Sequence, residues 1–191
     1  MFLVHRPTDE EIRQFLASQQ HHPFSYPDPG ITGLTSHGYT MDHNRIKLGN
    51  GPEVFRRAVE ALERWEMFNI GWVELCWPDT PIQTGATVGV LAHQFGFWSL
   101  NACRIANVIE EDGEVRRSGF AYGTLPEHVE RGQESFTIEL HAKDDSVWYD
   151  ILAYSTPNHL LAKLGYPVTR SLQKRFARDS MNAMVRTSAS G

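Results

Sequence analysis

Residues 133–155 read QESFTIELHAKDDSVWYDILAYS. In the first ten, Phe136, Ile138 and Leu140 alternate with Ser135, Thr137, Glu139 and His141. That period of two places one apolar and one polar face on a strand. Lys143-Asp144-Asp145 is a turn. Ser146 to Ser155 is a second strand, with bulky side chains on both faces: Trp148, Asp150, Leu152 and Tyr154 on one, Val147, Tyr149 and Ile151 on the other. A three-residue polar turn leaves no room for a crossover, so the two strands are antiparallel.

The pattern continues towards the N-terminus. Ile70 to Trp77, Ala86 to Phe95, Phe97 to Glu110 and Glu114 to Leu125 are strand-like runs, and Glu111-Asp112-Gly113 carries a hairpin signal. Six such runs therefore lie between residues 69 and 155. On the other side, Thr156 as cap and Pro157 in the first turn are expected to open a long amphipathic helix. Leu160, Leu164, Val168, Leu172 and Phe176 recur at four-residue steps, and Pro167 predicts a break near Gly165-Tyr166. An antiparallel sheet needs cover for its apolar face, and this late helix is the expected cover.

Further out, Thr8 and Glu11 form a capping box for a helix running to about Ser18, with Ile12, Phe15 and Leu16 as its apolar stripe. Pro23, Pro27, Pro29 and Gly30 then forbid regular structure, and Phe24 and Tyr26 are expected to pin that segment to the body. Residues 38–48 read as a further strand. Pro52 opens a helix to about residue 67, whose buried face is Val54, Phe55, Ala58, Val59, Leu62 and Trp65. The expectation is an α+β helix-grip fold. A bent seven-stranded antiparallel sheet wraps around the C-terminal helix, with an N-terminal helical extension. One domain is expected over 1–191, made of an extension at 1–36 and a body at 37–187.

The 191 residues carry a formal net charge of −5, which does not invite nucleic acid. Cys76 and Cys103 match no metal or redox spacing, and two buried thiols are the expected state. No run reaches the roughly 20 apolar residues of a membrane span, and MFLVHRPTDEE lacks a signal-peptide core. A cytoplasmic protein without a cofactor is expected.

Four runs go beyond pattern: GYTMDHNRIKLGNGPEVFRRAVEALERWEMFNIGWVELC, WSLNACRIANVIEE, GFAYGTLPEHVERGQESF and SVWYDILAYSTPNHLLAKLGYPVTRSLQKRFARDSMNAM. Together they resemble an uncharacterised family, domain of unknown function nineteen-ninety, over about residues 22 to 185. The resemblance implies a START-like (SRPBCC) helix-grip fold. It implies no activity and supplies no catalytic residues.

The candidate site residues follow from the pattern. Tyr122, Trp98 and Trp72 are expected to wall an apolar cavity, with Tyr154 and Asp150 on the last strand. Arg104, mid-strand among small and apolar neighbours, must be paired or solvated. It is expected to anchor a ligand carboxylate or phosphate, or to bridge to Glu134, Glu139 or Asp150. Asp42, His43, His128 and Glu134 are weak candidates for acid–base work. Asp42 and His43 are strand neighbours and point to opposite faces. No metal set is expected from His128-x-Glu130. The basic side of the last helix, Arg170, Lys174, Arg175 and Arg178, reads as a solvated face. The leading function is binding of an apolar or amphipathic small molecule without catalysis. Alternatives are a cyclase- or hydrolase-type enzyme using a pocket His and carboxylate, or a protein-interaction module. A homodimer is as compatible with the pattern as a monomer. Ala102→Trp is expected to fill the cavity.

Overall fold

The computed structural model describes residues 1–27, 38–158 and 166–189. Its strands are β1 (Phe2–Leu3), β2 (Thr40–Asn50), β3 (Val73–Leu75), β4 (Thr87–Gln94), β5 (Phe97–Glu111), β6 (Val115–Thr124), β7 (Glu130–His141) and β8 (Ser146–Pro157). Its helices are α1 (Asp9–Gln19), α2 (Pro52–Glu63) and α3 (Tyr166–Ala189), with one 3₁₀ turn at Glu66–Phe68. All strands join one curled antiparallel sheet in the order β2-β8-β7-β6-β5-β4-β3, and β1 adds to β5. The seven strands of that path and the helix beneath them are the expected helix-grip architecture.

The curl is visible in the pairing of β5. Its residues 97–104 pair with β4, and residues 103–111 pair with β6. The strand thus passes a corner, helped by a register shift between Ile105 and Asn107. Bulges of this kind bend a strand and increase its twist.

Apolar rows cross the concave face. Phe120 on β6 lies beside Phe136 on β7 and Ile151 on β8; Ile138 lies beside Tyr149 and Ser118. Phe55, Ala58, Ala61 and Leu62 of α2 pack on these rows, as do Ala177 and Met184 of α3. Trp65 and Phe68 wedge between them, with Trp65 4.9 Å from Phe120 and Phe68 5.7 Å from Phe136, centroid to centroid. The Tyr149 hydroxyl meets the Ser180 hydroxyl of α3 at 3.0 Å.

The convex face has its own cover. Ile12 and Leu16 of α1 pack against Leu91, Leu100, Ala102 and Leu125. The capping box is formed as expected: the Thr8 hydroxyl accepts from the Glu11 amide, and the Glu11 carboxylate accepts from the Thr8 amide at 2.7 Å. Tyr26 is buried and donates its hydroxyl to Gln133 at 3.1 Å. A Cβ on Gly123 would stand 2.1 Å from that hydroxyl, so the pinned segment needs glycine beneath it. Cys76 and Cys103 are free thiols, and burial pushes both up, Cys76 to about 12.

Four expectations are corrected. Thr156 and Pro157 do not open the last helix. They extend β8, opposite Arg131 and Glu130, because β7 starts three residues earlier than the alternation suggested. A proline at a strand end forfeits little of the ladder. The described helix begins at Tyr166; Leu160, Leu164 and Gly165 lie outside the described residues. The second helix stops at Glu63, because Trp65 takes φ 58° and breaks the α path. The run from Ile70 to Trp77 forms a strand only over Val73–Leu75, with Gly71 at φ 81° two residues before it. Cover of the concave face is shared by α2 and the 3₁₀ turn, not given by the last helix alone.

Candidate functional site

The concave face is packed at one end and open at the other. A cavity of about 850 Å³ lies between β4–β8 and the first turns of α3. Phe68, Trp72, Val90, Ala92, Tyr122 and Phe176 supply much of its apolar wall. Phe68 stands 5.5 Å from Phe176 and 6.4 Å from Tyr122, so these rings divide the packed end from the open one. At the rim, Phe2, Phe95, Phe97 and Val168 are exposed.

One row of the sheet supplies a connected polar part of the wall. Tyr122 of β6 lies beside Glu134 of β7, which lies beside Ala153 of β8, which lies beside Asp42 of β2. This row is the one next to Phe120–Phe136–Ile151 on the same face, so alternation aims its side chains inward. Tyr122 donates its hydroxyl to Glu134 Oε2 at 2.8 Å. Burial, then the Glu134 charge, raises the Tyr122 phenol well above its usual range. Burial also pushes Glu134 from its ordinary 4.5 up to about 7; the Tyr122 hydrogen bond opposes this, and Glu130 and Asp42 add to it. A carboxyl in an apolar recess behaves this way because the charged form loses its water.

Two further carboxylates belong to the same wall, and each has a partner on α3. Arg170 grips Asp42 with both terminal nitrogens, Nη2 reaching Oδ1 at 2.6 Å. Gln173 donates to Glu130 at 2.6 Å and to the Ser155 hydroxyl at 3.0 Å. Burial raises Glu130, against the Gln173 bond that holds it down. Glu130 reaches this position because Gly132, at φ 150°, lets β7 approach β8: a Cβ there would stand 1.8 Å from the Tyr154 carbonyl oxygen. Trp72 donates its indole N–H to Asp179 of α3 at 3.0 Å, and Arg175 lies 4.6 Å over its ring.

Most of the expected residues meet at this cavity: Trp72, Trp98, Tyr122, Tyr154, Asp42, His43, His128 and Glu134 all border it. Their side chains differ in direction. Trp98 stacks on His93 at 4.3 Å and packs with the convex-face cluster. Tyr154 packs with Tyr26, also on the convex side. His43 turns outward to Asp150 at 2.7 Å, while Asp42 turns inward, as alternation required. His128 sits in the β6–β7 loop, with Nδ1 3.0 Å from the Glu130 amide.

Arg104 and Asp150 do not border the cavity. The expected bridge from Arg104 to Glu134, Glu139 or Asp150 is not made. Arg104 lies on the convex face, stacked 5.4 Å over Phe24, and donates to the carbonyl oxygens of Gln20 and His22 at 2.7 Å each. It closes the C-terminal end of α1, where free carbonyls and the helix dipole favour a cation. Asp150 joins a convex-face network with His43, Arg45 and Glu139. Ala102 packs under α1, so Ala102→Trp would not fill the cavity. The basic side of α3 is also not simply solvated, since Arg170 and Arg175 are engaged with Asp42, Trp72 and Asp179.

The residue pattern does not mark Gln173 as a site residue, and it marks Glu130 only beside His128 in the β6–β7 loop. Their signal was weak: Glu130 depends on an early start to β7, and Gln173 on the rotation of α3. Among the described residues, no group of three or more His, Cys, Asp or Glu is arranged to hold a metal ion. No helix of those residues is long and apolar enough to cross a membrane.

The chain belongs to the family described as domain of unknown function DUF1990, whose model matches residues 25–183. A UPF0548 protein of Dictyostelium discoideum is 38% identical over 206 residues, covering 97% of this chain and 95% of its own. Among solved structures, a hypothetical protein of Helicobacter pylori superposes with a TM-score of 0.53 at 12% identity, covering 87% of this chain and 96% of that one. Human STARD10 superposes with a TM-score of 0.48 at 12% identity, covering 98% of this chain and 82% of that one.

Proposed function

We propose that this protein binds an apolar or amphipathic small molecule in the cavity beneath α3. The observation that carries the reading is the cavity itself. About 850 Å³ falls in the range of small-molecule sites, and its wall joins aromatic and aliphatic side chains to polar groups such as Tyr122 and Glu134. Burial of apolar ligand surface supplies the drive, about 25 cal/mol per Å² before the entropic costs of association. Tyr122 and Glu134 orient the polar end of the guest. Trp72 and Phe68 hold its apolar part.

The acid–base alternative has less geometry behind it. His43 meets its carboxylate, Asp150, on the convex face, and His128 spends Nδ1 on the Glu130 backbone.

Native mass spectrometry of gently purified protein tests the binding reading. The expected result is a bound small molecule, or uptake of an added one, that disappears in Val90→Trp. Val90 borders the cavity and packs on the core, so an indole there takes up the guest's space. Equal uptake by Val90→Trp and the parent chain, with the variant folded, would overturn it.

A further inference from the structure

The carboxylates of the cavity are not equally matched. Asp42 is held by Arg170, and Glu130 is held by Gln173. Glu134 receives one hydrogen bond, from Tyr122, on Oε2. No cation pairs with it among the described residues, and its Oε1 has no hydrogen-bond partner there. Lys174, the lysine that borders the cavity, is exposed at the rim. Arg104, the residue whose charge would have suited an anionic guest, lies on the other side of the sheet. The interior therefore carries more carboxylates than cations, and one of them, Glu134, turns an oxygen without a partner among the described residues to the cavity. Around that space stand the rings of Phe68, Trp72, Tyr122 and Phe176, whose faces attract cations.

Resting on the binding reading above, we infer that the guest is a lipophilic amine, its ammonium on Glu134 Oε1 and its hydrocarbon part among Phe68, Trp72 and Phe176. An ammonium supplies the cation that this wall lacks and donates where Tyr122 does not reach. A carboxylate or phosphate guest would meet Glu134 and Glu130 and be repelled.

The groups around Glu134 come from six elements: Asp42 on β2, Cys103 on β5, Tyr122 on β6, Glu130 on β7, Tyr149 on β8 and Arg170 on α3, with His128 in the β6–β7 loop. Of these, burial raises Glu134 into the neutral range. Amine binding by this site should therefore strengthen as pH rises through about 7, while the ammonium stays charged.

The test compares nonylamine with 1-nonanol by isothermal titration on the full chain, at pH 5.5 and pH 8.5. The expected result is that the amine binds at least about tenfold more tightly than the alcohol at pH 8.5, the scale of one charge-assisted hydrogen bond. The preference should shrink at pH 5.5 and vanish in Glu134→Gln. Equal affinity for both guests at pH 8.5, or tighter binding of the alcohol, overturns the amine assignment and leaves the container intact. A preference or pH dependence that survives in Glu134→Gln moves the recognition to His128 or another group and also overturns it. If neither guest binds, the container reading falls and this inference with it. The wild-type pH profile is a readout that does not depend on the variant folding.

Discussion

Two stretches of β7 face the same side of the same sheet and have opposite surroundings. Phe136 and Ile138 are fully buried under α2, Trp65 and Phe68. Glu134 and Glu130, inward positions on either side of Gly132 towards the strand's start, face a cavity. Both halves are paired with β6 or β8 in one continuous ladder, apart from the close approach at Gly132. What differs is the cover. α2 and the 3₁₀ turn lie over one half only, and the start of α3 spans the other with Arg170 and Gln173, whose polar tips tie down carboxylates. A packed interior tolerates no voids and punishes loss of volume. A cavity wall is already half-relieved of that demand and can carry groups that a core would reject.

The contrast can be broken at several points. The largest effect is expected at Phe136→Ala, which empties a site with no exposure and should cost about 3–5 kcal/mol by urea denaturation. A cost near 1 kcal/mol would mean the packed half is as loose as the open one.

Glu134→Gln sharpens the comparison through pH. The parent carboxyl is raised from 4.5 to about 7 in the folded chain. The folded state thus holds a proton that the unfolded chain gives up near 4.5, so stability is greatest below about pH 4.5 and falls as pH rises to about 7. Glutamine does not ionise. The variant should match the parent near pH 5 and exceed it at pH 8 by about 1–3 kcal/mol, fewer if water in the cavity reaches the carboxylate. Melts at the two pH values check this. A variant less stable than the parent at pH 8 would show the carboxylate to be favourably paired.

Asp42→Asn strips the carboxylate from Arg170 and should cost about 1–2 kcal/mol. Faster hydrogen exchange is expected in the first turns of α3, with the exchange of α2 unchanged. Uniform acceleration of both helices would show that the two covers act as one unit. The smallest effect is expected at Val90→Ala, on the open half: about 1 kcal/mol or less, because its methyls already face a void. A loss as large as that of Phe136→Ala would mean the cavity is solid in solution.

How much of this was legible depended on the range of the interaction involved. The capping box at Thr8 and Glu11 is three residues long, and it formed as read. Strand alternation spans a few residues, and it correctly opposed Asp42 to His43 on β2 and Phe136 to Ser135 on β7. Arg104 shows where local reading stopped. Its position in mid-strand announced that it needed partners, but those partners are carbonyl oxygens at the end of α1, more than eighty residues earlier. Alternation grouped Tyr154 with Leu152 and Asp150, but only the packing of Tyr154 against Tyr26 shows that this group faces outward.

Periodicity and turn chemistry are properties of neighbouring residues, so the chain by itself determined the strands, their antiparallel order and a helix to cover them. Which face of the curl each strand presents, which carboxylate meets an arginine and which meets empty space are set by contacts between residues far apart in sequence. Close packing decides these one pair at a time, and only in three dimensions. That is why the row Tyr122–Glu134–Ala153–Asp42 became a cavity wall only when α3 was laid across it and α2 stopped short.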